Sequence, residues 1–174
     1  MKPKKPASPS SAARPEGALE LMPSVFEVRD ILVPVDFSEP SRQAVRCAMH
    51  FAQRFDSKLT LLHVVEPVGT PDFDAFPLAA SPQKVERAVK AQIQRLCKQE
   101  GLQPPLLQGM HVRQGRAYHE IVEAARSLKT HLIIIATRGH TGLAHVLLGS
   151  TAERVVRYAP CPVLVVRQTS CSAK

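Results

Sequence analysis

The sequence predicts an α/β fold: one doubly wound, Rossmann-like open sheet of five parallel strands with helices on both faces. Two observations predict it. Five short apolar runs rich in β-branched residues alternate with segments whose apolar residues recur at helical spacing. The runs beginning at Ile31 and Leu132 are apolar at every position, as strands covered on both faces are. Each parallel crossover needs a helix and is right-handed, so helices fall on both sides of the sheet. With 174 residues, 44% of them apolar, the chain fits one such domain.

Residues 1–24 form a Pro/Ser-rich basic tail that buries too little apolar surface to offset its ordering entropy, which predicts disorder there. The domain covers residues 25–168, and residues 169–174 form a short C-terminal tail. The first strand runs from Arg29 to Asp36. Ser38 then caps a helix with Pro40 in its first turn and Ala44, Val45, Ala48, Phe51, Ala52 and Phe55 on one face. Lys58 to Val65 is the second strand. The stretch from Glu66 to Ser81 carries three prolines and the segment Asp72-Phe73-Asp74-Ala75-Phe76 without a clear period, so it is an excursion. A helix from about Pro82 to Gly101 follows, with Val85, Ala88, Val89, Ile93, Leu96 and Cys97 on one side and the glycine as its stop. Leu106 to Arg113 alternates apolar and polar residues, as an edge strand does. Tyr118, Ile121, Val122, Ala125 and Leu128 mark a third helix. His131 to Ala136 is the fourth strand, a helix covers about Ser150 to Tyr158, and Cys161 to Val166 is the fifth strand.

Composition excludes several classes. No apolar run approaches the about 20 residues that cross a bilayer, and the N-terminus has no apolar centre for a signal peptide, so a cytoplasmic protein is expected. Cys47, Cys97, Cys161 and Cys171 are far apart and have no histidine at zinc-finger spacing, which argues for reduced thiols. The formal charge is +8, yet part of the excess lies in the tail, aromatics are few and no recognition module is visible. Sequence-specific nucleic-acid binding is therefore unsupported.

Ligands of such sheets bind beyond the strands' C-terminal ends, where strand order reverses. The two most apolar strands are placed side by side at the centre, so Asp36 and Ala136 are expected to face one crevice. After Ala136 come Gly139, Gly142, Gly149, Ser150 and Thr151, with Gly149-Ser150 opening a helix whose free amides favour an anion. The common phosphate motifs, G-x-x-x-x-G-K-[ST] and G-x-G-x-x-G, are absent. Ser150-x-x-Glu153 also reads as a capping box. On the residues alone, a phosphate site and a capped turn both stand.

The spacing of Ala136, two residues, Gly139, nine residues, Gly149 and Ser150 resembles the signature of the universal stress proteins, with Ala136 in place of its first glycine. The resemblance extends from Asp30 to about Arg167 and includes Ile31 to Asp36, Leu61 to Val65 and Ala159 to Val166. It implies strand order 3-2-1-4-5 and ATP at the switch point, with Mg²⁺ on its phosphates. By the same resemblance Pro34, Asp36 and Val64 surround adenine and ribose, with Ile135 and Ala136 nearby, and Gly139, Gly149, Ser150 and Thr151 hold the phosphates. The methyl of Ala136 stands where the family pattern leaves room, so closer crowding of the nucleotide is expected. A homodimer through antiparallel pairing of Val163 to Val166 is also implied, and those residues carry no charge to block edge pairing.

The resulting expectation is an ATP-binding module of stress response or signalling that works as a homodimer. The alternative is a nucleotide-free homodimeric interaction protein of the same fold. No nucleophile or general base with an orienting partner is evident, so at most slow ATP hydrolysis is expected. His63 reads as a satisfied histidine within a strand, and Cys161, between two prolines, as structural. Asp36 could equally cap its own turn. Arg138, His140 and His145 line the glycine loop and either meet phosphates or face solvent. The Asp72-to-Phe76 excursion reads as surface loop.

Overall fold

The computed structural model describes residues 27–66, 81–137 and 148–167. Along them lie β1 (Asp30–Pro34), α1 (Glu39–Phe55), β2 (Lys58–Val65), α2 (Pro82–Glu100), β3 (Leu107–Gln114), α3 (Ala117–Ser127), β4 (Leu132–Ala136), α4 (Ser150–Tyr158) and β5 (Val163–Val166). The strands form one parallel sheet in the order β3-β2-β1-β4-β5. The tails and the Asp72-to-Phe76 excursion lie outside the described residues.

Strand alternation divides the core in two. Ile31, Val33, Leu59, Leu61, Leu132 and Ile134 pack with Ala44, Val45 and Ala48 of α1 and Val89, Ile93 and Leu96 of α2. Leu32, Leu62, Ile133 and Ile135 project to the opposite face, against Ile121, Ala124 and Ala125 of α3 and Ala152 and Val155 of α4. Both faces of β1 and β4 are thus covered, which is why these strands are apolar throughout. Truncating a fully buried side chain here, such as Ile133 or Ile134, would cost about 2–5 kcal/mol. At the sheet's edges, β3 has only exposed and half-buried residues, and β5 is half-buried along its length.

Helix boundaries follow local chemistry. The Ser38 side chain accepts the Ser41 N–H at 3.3 Å, Pro40 lies in the first turn of α1, and Asp56 ends the helix in a left-handed conformation, φ 52°. Gly101, φ 71°, ends α2 and donates its N–H to the Cys97 carbonyl. The first strand is shorter than the apolar run: the Val35 N–H still donates to the Leu62 carbonyl at 2.8 Å, and then the backbone turns. The turn is made by Asp36 and Ser38 rather than by continued pairing.

Candidate functional site

Strand β1 pairs with β2 on one side and with β4 on the other. The helix after β1 packs on one face of the sheet and the helix after β4 on the other. In sheets of this kind the ligand crevice lies between such starting points, here at the C-terminal ends of β1 and β4. On the β1 side its wall is an ordered turn. Oδ1 of half-buried Asp36 accepts the Ser38 backbone N–H at 3.0 Å and the Ser38 hydroxyl at 2.5 Å. Ser38 in turn caps α1, so Asp36 holds the helix start as well as the strand end. Between them Phe37 adopts φ 66°, a conformation uncommon for a bulky side chain, and its ring lies 4.6 Å from that of His63, centroid to centroid. Nδ1 of His63 is 2.7 Å from the Val35 carbonyl, an acceptor, so that nitrogen carries the proton and donates. His63 is the satisfied histidine expected from its strand context, and its bond pins the backbone just before Asp36.

On the β4 side, Ile135 and Ala136 are buried, and so is Thr137. The Thr137 N–H donates to the Val166 carbonyl at 2.9 Å, which extends the ladder with β5 by one residue. Its carbonyl accepts the Gly149 N–H at 2.7 Å. That bond ties the first residue of the α4 turn directly to the end of β4, so the start of α4 is held at the sheet's C-terminal edge. Gly149 itself is the N-cap, φ −69° and ψ 153°, and among the described residues no side chain caps the helix. Ser150 is therefore the first helical residue, and the capping-box alternative fails by one position. The Glu153 carboxylate pairs with Arg157 at 3.2 Å instead of reaching back. The amides of Ser150 and Thr151 open the helix without intrahelical partners.

The helix after β3 contrasts with this. Glu66, at the end of β2, accepts the Ala117 N–H at 2.7 Å, so a carboxylate already sits at the N-terminus of α3. Of the two helix starts on that face of the sheet, α3 is occupied by an anion of the chain itself and α4 has no side-chain cap among the described residues.

The remaining sequence candidates divide. Pro34 is buried at the end of β1, and Val64 is half-buried on the α3–α4 face with Ile135. The Ala136 methyl packs in the core cluster beneath α1, with Ile134 and Leu132. Gly139, Arg138, His140 and His145 lie outside the described residues. Thr137, Phe37 and Glu66 were not singled out from sequence. Their roles come from backbone closures and a positive φ that residue type alone does not signal.

Chemically, the described residues offer backbone donors and a carboxylate-organised turn. Burial pushes the Cys161 thiol up, as it does those of Cys47 and Cys97, which disfavours a nucleophilic thiolate. Among the described residues no group of three or more His, Cys, Asp or Glu could hold a metal ion, and no helix is long and apolar enough to cross a membrane. Away from the crevice, Val28, Phe51, Phe55, Leu132, Pro162, Val163 and Leu164 line an apolar groove of about 350 Å³ beside β5.

A doubly wound parallel sheet whose strand order reverses between β1 and β4 defines an α/β protein of the Rossmann-like class. The model of the Universal stress protein family matches residues 27–167, and the chain belongs to that family. It is 35% identical over 147 residues to universal stress protein MJ0531 of Methanocaldococcus jannaschii, covering 80% of this chain and 82% of that one. The solved structure of universal stress protein UspA from Lactobacillus plantarum is similar at 31% identity and TM-score 0.68, covering 81% of this chain and 99% of that one. A universal stress protein from Archaeoglobus fulgidus solved in complex with dAMP shares the fold at 20% identity and TM-score 0.53, covering 80% and 98% of the two chains.

Proposed function

We infer that this protein is an adenine-nucleotide-binding module of stress response or signalling, with ATP as its nucleotide, acting in the cytoplasm as a homodimer. The observation that carries the reading is the start of α4, which has no side-chain cap and is tied by Gly149 to the Thr137 carbonyl at the switch point. An anion there would complete a helix terminus that, among the described residues, no side chain closes. The dAMP complex of the Archaeoglobus fulgidus relative supports adenine as the base. In this reading Gly139, Gly149, Ser150 and Thr151 hold the phosphates, while Pro34, Asp36, Val64, Ile135 and Ala136 bound the adenine and ribose. The phosphates themselves, rather than a side-chain cluster, would carry Mg²⁺.

The dimer is proposed through β5. Its edge is uncharged over Val163–Val166, and beside it the apolar groove extends to Phe55, whose side chain is 54% exposed. Two copies paired strand to strand would cover both features. Calorimetric titration with ATP, AMP and inorganic triphosphate tests the nucleotide reading. Saturable ATP binding at one site per chain, stronger than that of triphosphate alone, is the expected result. The absence of binding by any adenine nucleotide at millimolar concentration would leave the nucleotide-free interaction protein.

A further inference from the structure

The outer face of α2 is a cationic stripe that the nucleotide site does not use. The helix carries Lys84, Arg87, Lys90, Arg95 and Lys98 against Glu86 and Glu100. Both acids are engaged elsewhere. Glu86 pairs with Lys90 at 2.7 Å, and Glu100, its side chain 7% exposed, pairs with Arg46 of α1 at 2.6 Å. Lys84, Arg87, Arg95 and Lys98 are exposed and have no carboxylate partner among the described residues. At 3.6 residues per turn these four fall within about 80° of one another and extend over about 21 Å of helix. The stripe lies opposite Val89, Ile93, Leu96 and Cys97, which face the core. Four cations in one line, with their neighbouring acids withdrawn, make a directional field for a linear polyanion.

We propose that this face of α2 docks the phosphate backbone of a nucleic-acid duplex without reading its sequence. Three features choose that occupant. The positions between the cations are Ala88, Ala91, Gln92 and Gln94, so no large apolar side chain is available to enter a lipid headgroup boundary. The helix has no aromatic residue on which unpaired bases could stack, which disfavours a single strand. The glutamines add hydrogen-bonding groups for phosphate and sugar oxygens, contacts that position a protein and carry no sequence information.

The test is fluorescence anisotropy of the full-length protein with two labelled 20-base-pair DNA duplexes of unrelated sequence. Four phosphate contacts predict a log–log salt slope of about −3.6, hence a loss of about a hundredfold in affinity between 50 and 200 mM salt. The two duplexes should bind alike. The stripe variant Lys84→Gln/Arg87→Gln/Arg95→Gln/Lys98→Gln should lose at least tenfold at 50 mM salt. A charge-matched variant, Arg54→Gln/Arg126→Gln/Lys129→Gln/Arg157→Gln, should lose less than threefold. Circular dichroism checks that both remain folded, and the smaller variant Arg95→Gln/Lys98→Gln, expected to lose about threefold, stands in if the first does not. Equal losses in the stripe and charge-matched variants, no binding by wild type at 50 mM salt, or stronger binding to phosphatidylserine vesicles than to duplex would each overturn the proposal.

Discussion

Replacing Gly149 by aspartate separates the two things that the start of α4 could be doing. The residue sits at the N-cap with φ −69° and ψ 153°, an extended conformation that aspartate adopts without strain. An aspartate there would cap α4 as the Glu66 carboxylate caps α3. The ligand-free protein should gain the few tenths of a kcal/mol by which aspartate exceeds glycine as a cap, plus about 0.3–1 kcal/mol from the helix dipole. For a domain of this size that is an increase of about 1–4 °C in Tm. The same carboxylate would occupy the amides proposed for phosphate and repel it. ATP affinity should therefore fall at least tenfold, about 1.4 kcal/mol or more. Differential scanning fluorimetry without ligand and calorimetry with ATP read the two effects separately. Higher stability with unchanged ATP affinity would remove the phosphates from α4, and lower stability would refute the capping geometry itself.

Three further outcomes are expected. Ala136→Gly removes a buried methyl and adds backbone freedom within a strand, so chemical denaturation should report a loss of about 1–2 kcal/mol while ATP affinity stays within twofold. Tighter binding would instead support crowding of the nucleotide by the methyl. The thiols of Cys47, Cys97 and Cys161 are raised by burial above the ordinary range of a free thiol. The unfolded chain then loses these protons first, so stability should fall as pH rises through about 9, and Cys97→Ala should flatten that fall in urea titrations at pH 8 and 10. Sedimentation equilibrium at tens of micromolar should report a dimer, and Val165→Pro, which removes an edge amide, should shift it toward monomer with its circular dichroism retained. A wild-type monomer would refute the β5 interface.

Much of this fold is legible because its signals are local. The uninterrupted apolar runs from Ile31 and Leu132 mark the two strands buried on both faces, and the alternation from Leu107 marks an edge. Ser38 followed by Pro40, and Gly101 after Glu100, set helix ends within a residue. The switch point then follows from topology. What escaped the sequence depends on contacts between residues far apart or on a shift of one position. Glu66 meets Ala117 across 51 positions, and the Gly149 N–H returns to Thr137 across the glycine loop. Ser150-x-x-Glu153 fits a capping box as a string, yet the turn places Gly149 at the cap and leaves Ser150 inside the helix. The direction of the Ala136 methyl depends on strand register, which pairs Ala136 with Val166 and sends its side chain to the α1 face. Asp36 was legible as both a turn former and a ligand group. Its bonds to Ser38 establish the first.

The central claim is that a nucleotide's phosphates rest on the start of α4, and a crystal structure grown with saturating ATP and Mg²⁺ tests it most directly. Phosphate oxygens are expected within hydrogen-bond distance of the Ser150 and Thr151 amides, with the adenine between the ends of β1 and β2. Nucleotide bound elsewhere, or an empty crevice at an ATP concentration a hundred times the calorimetric Kd, would contradict it.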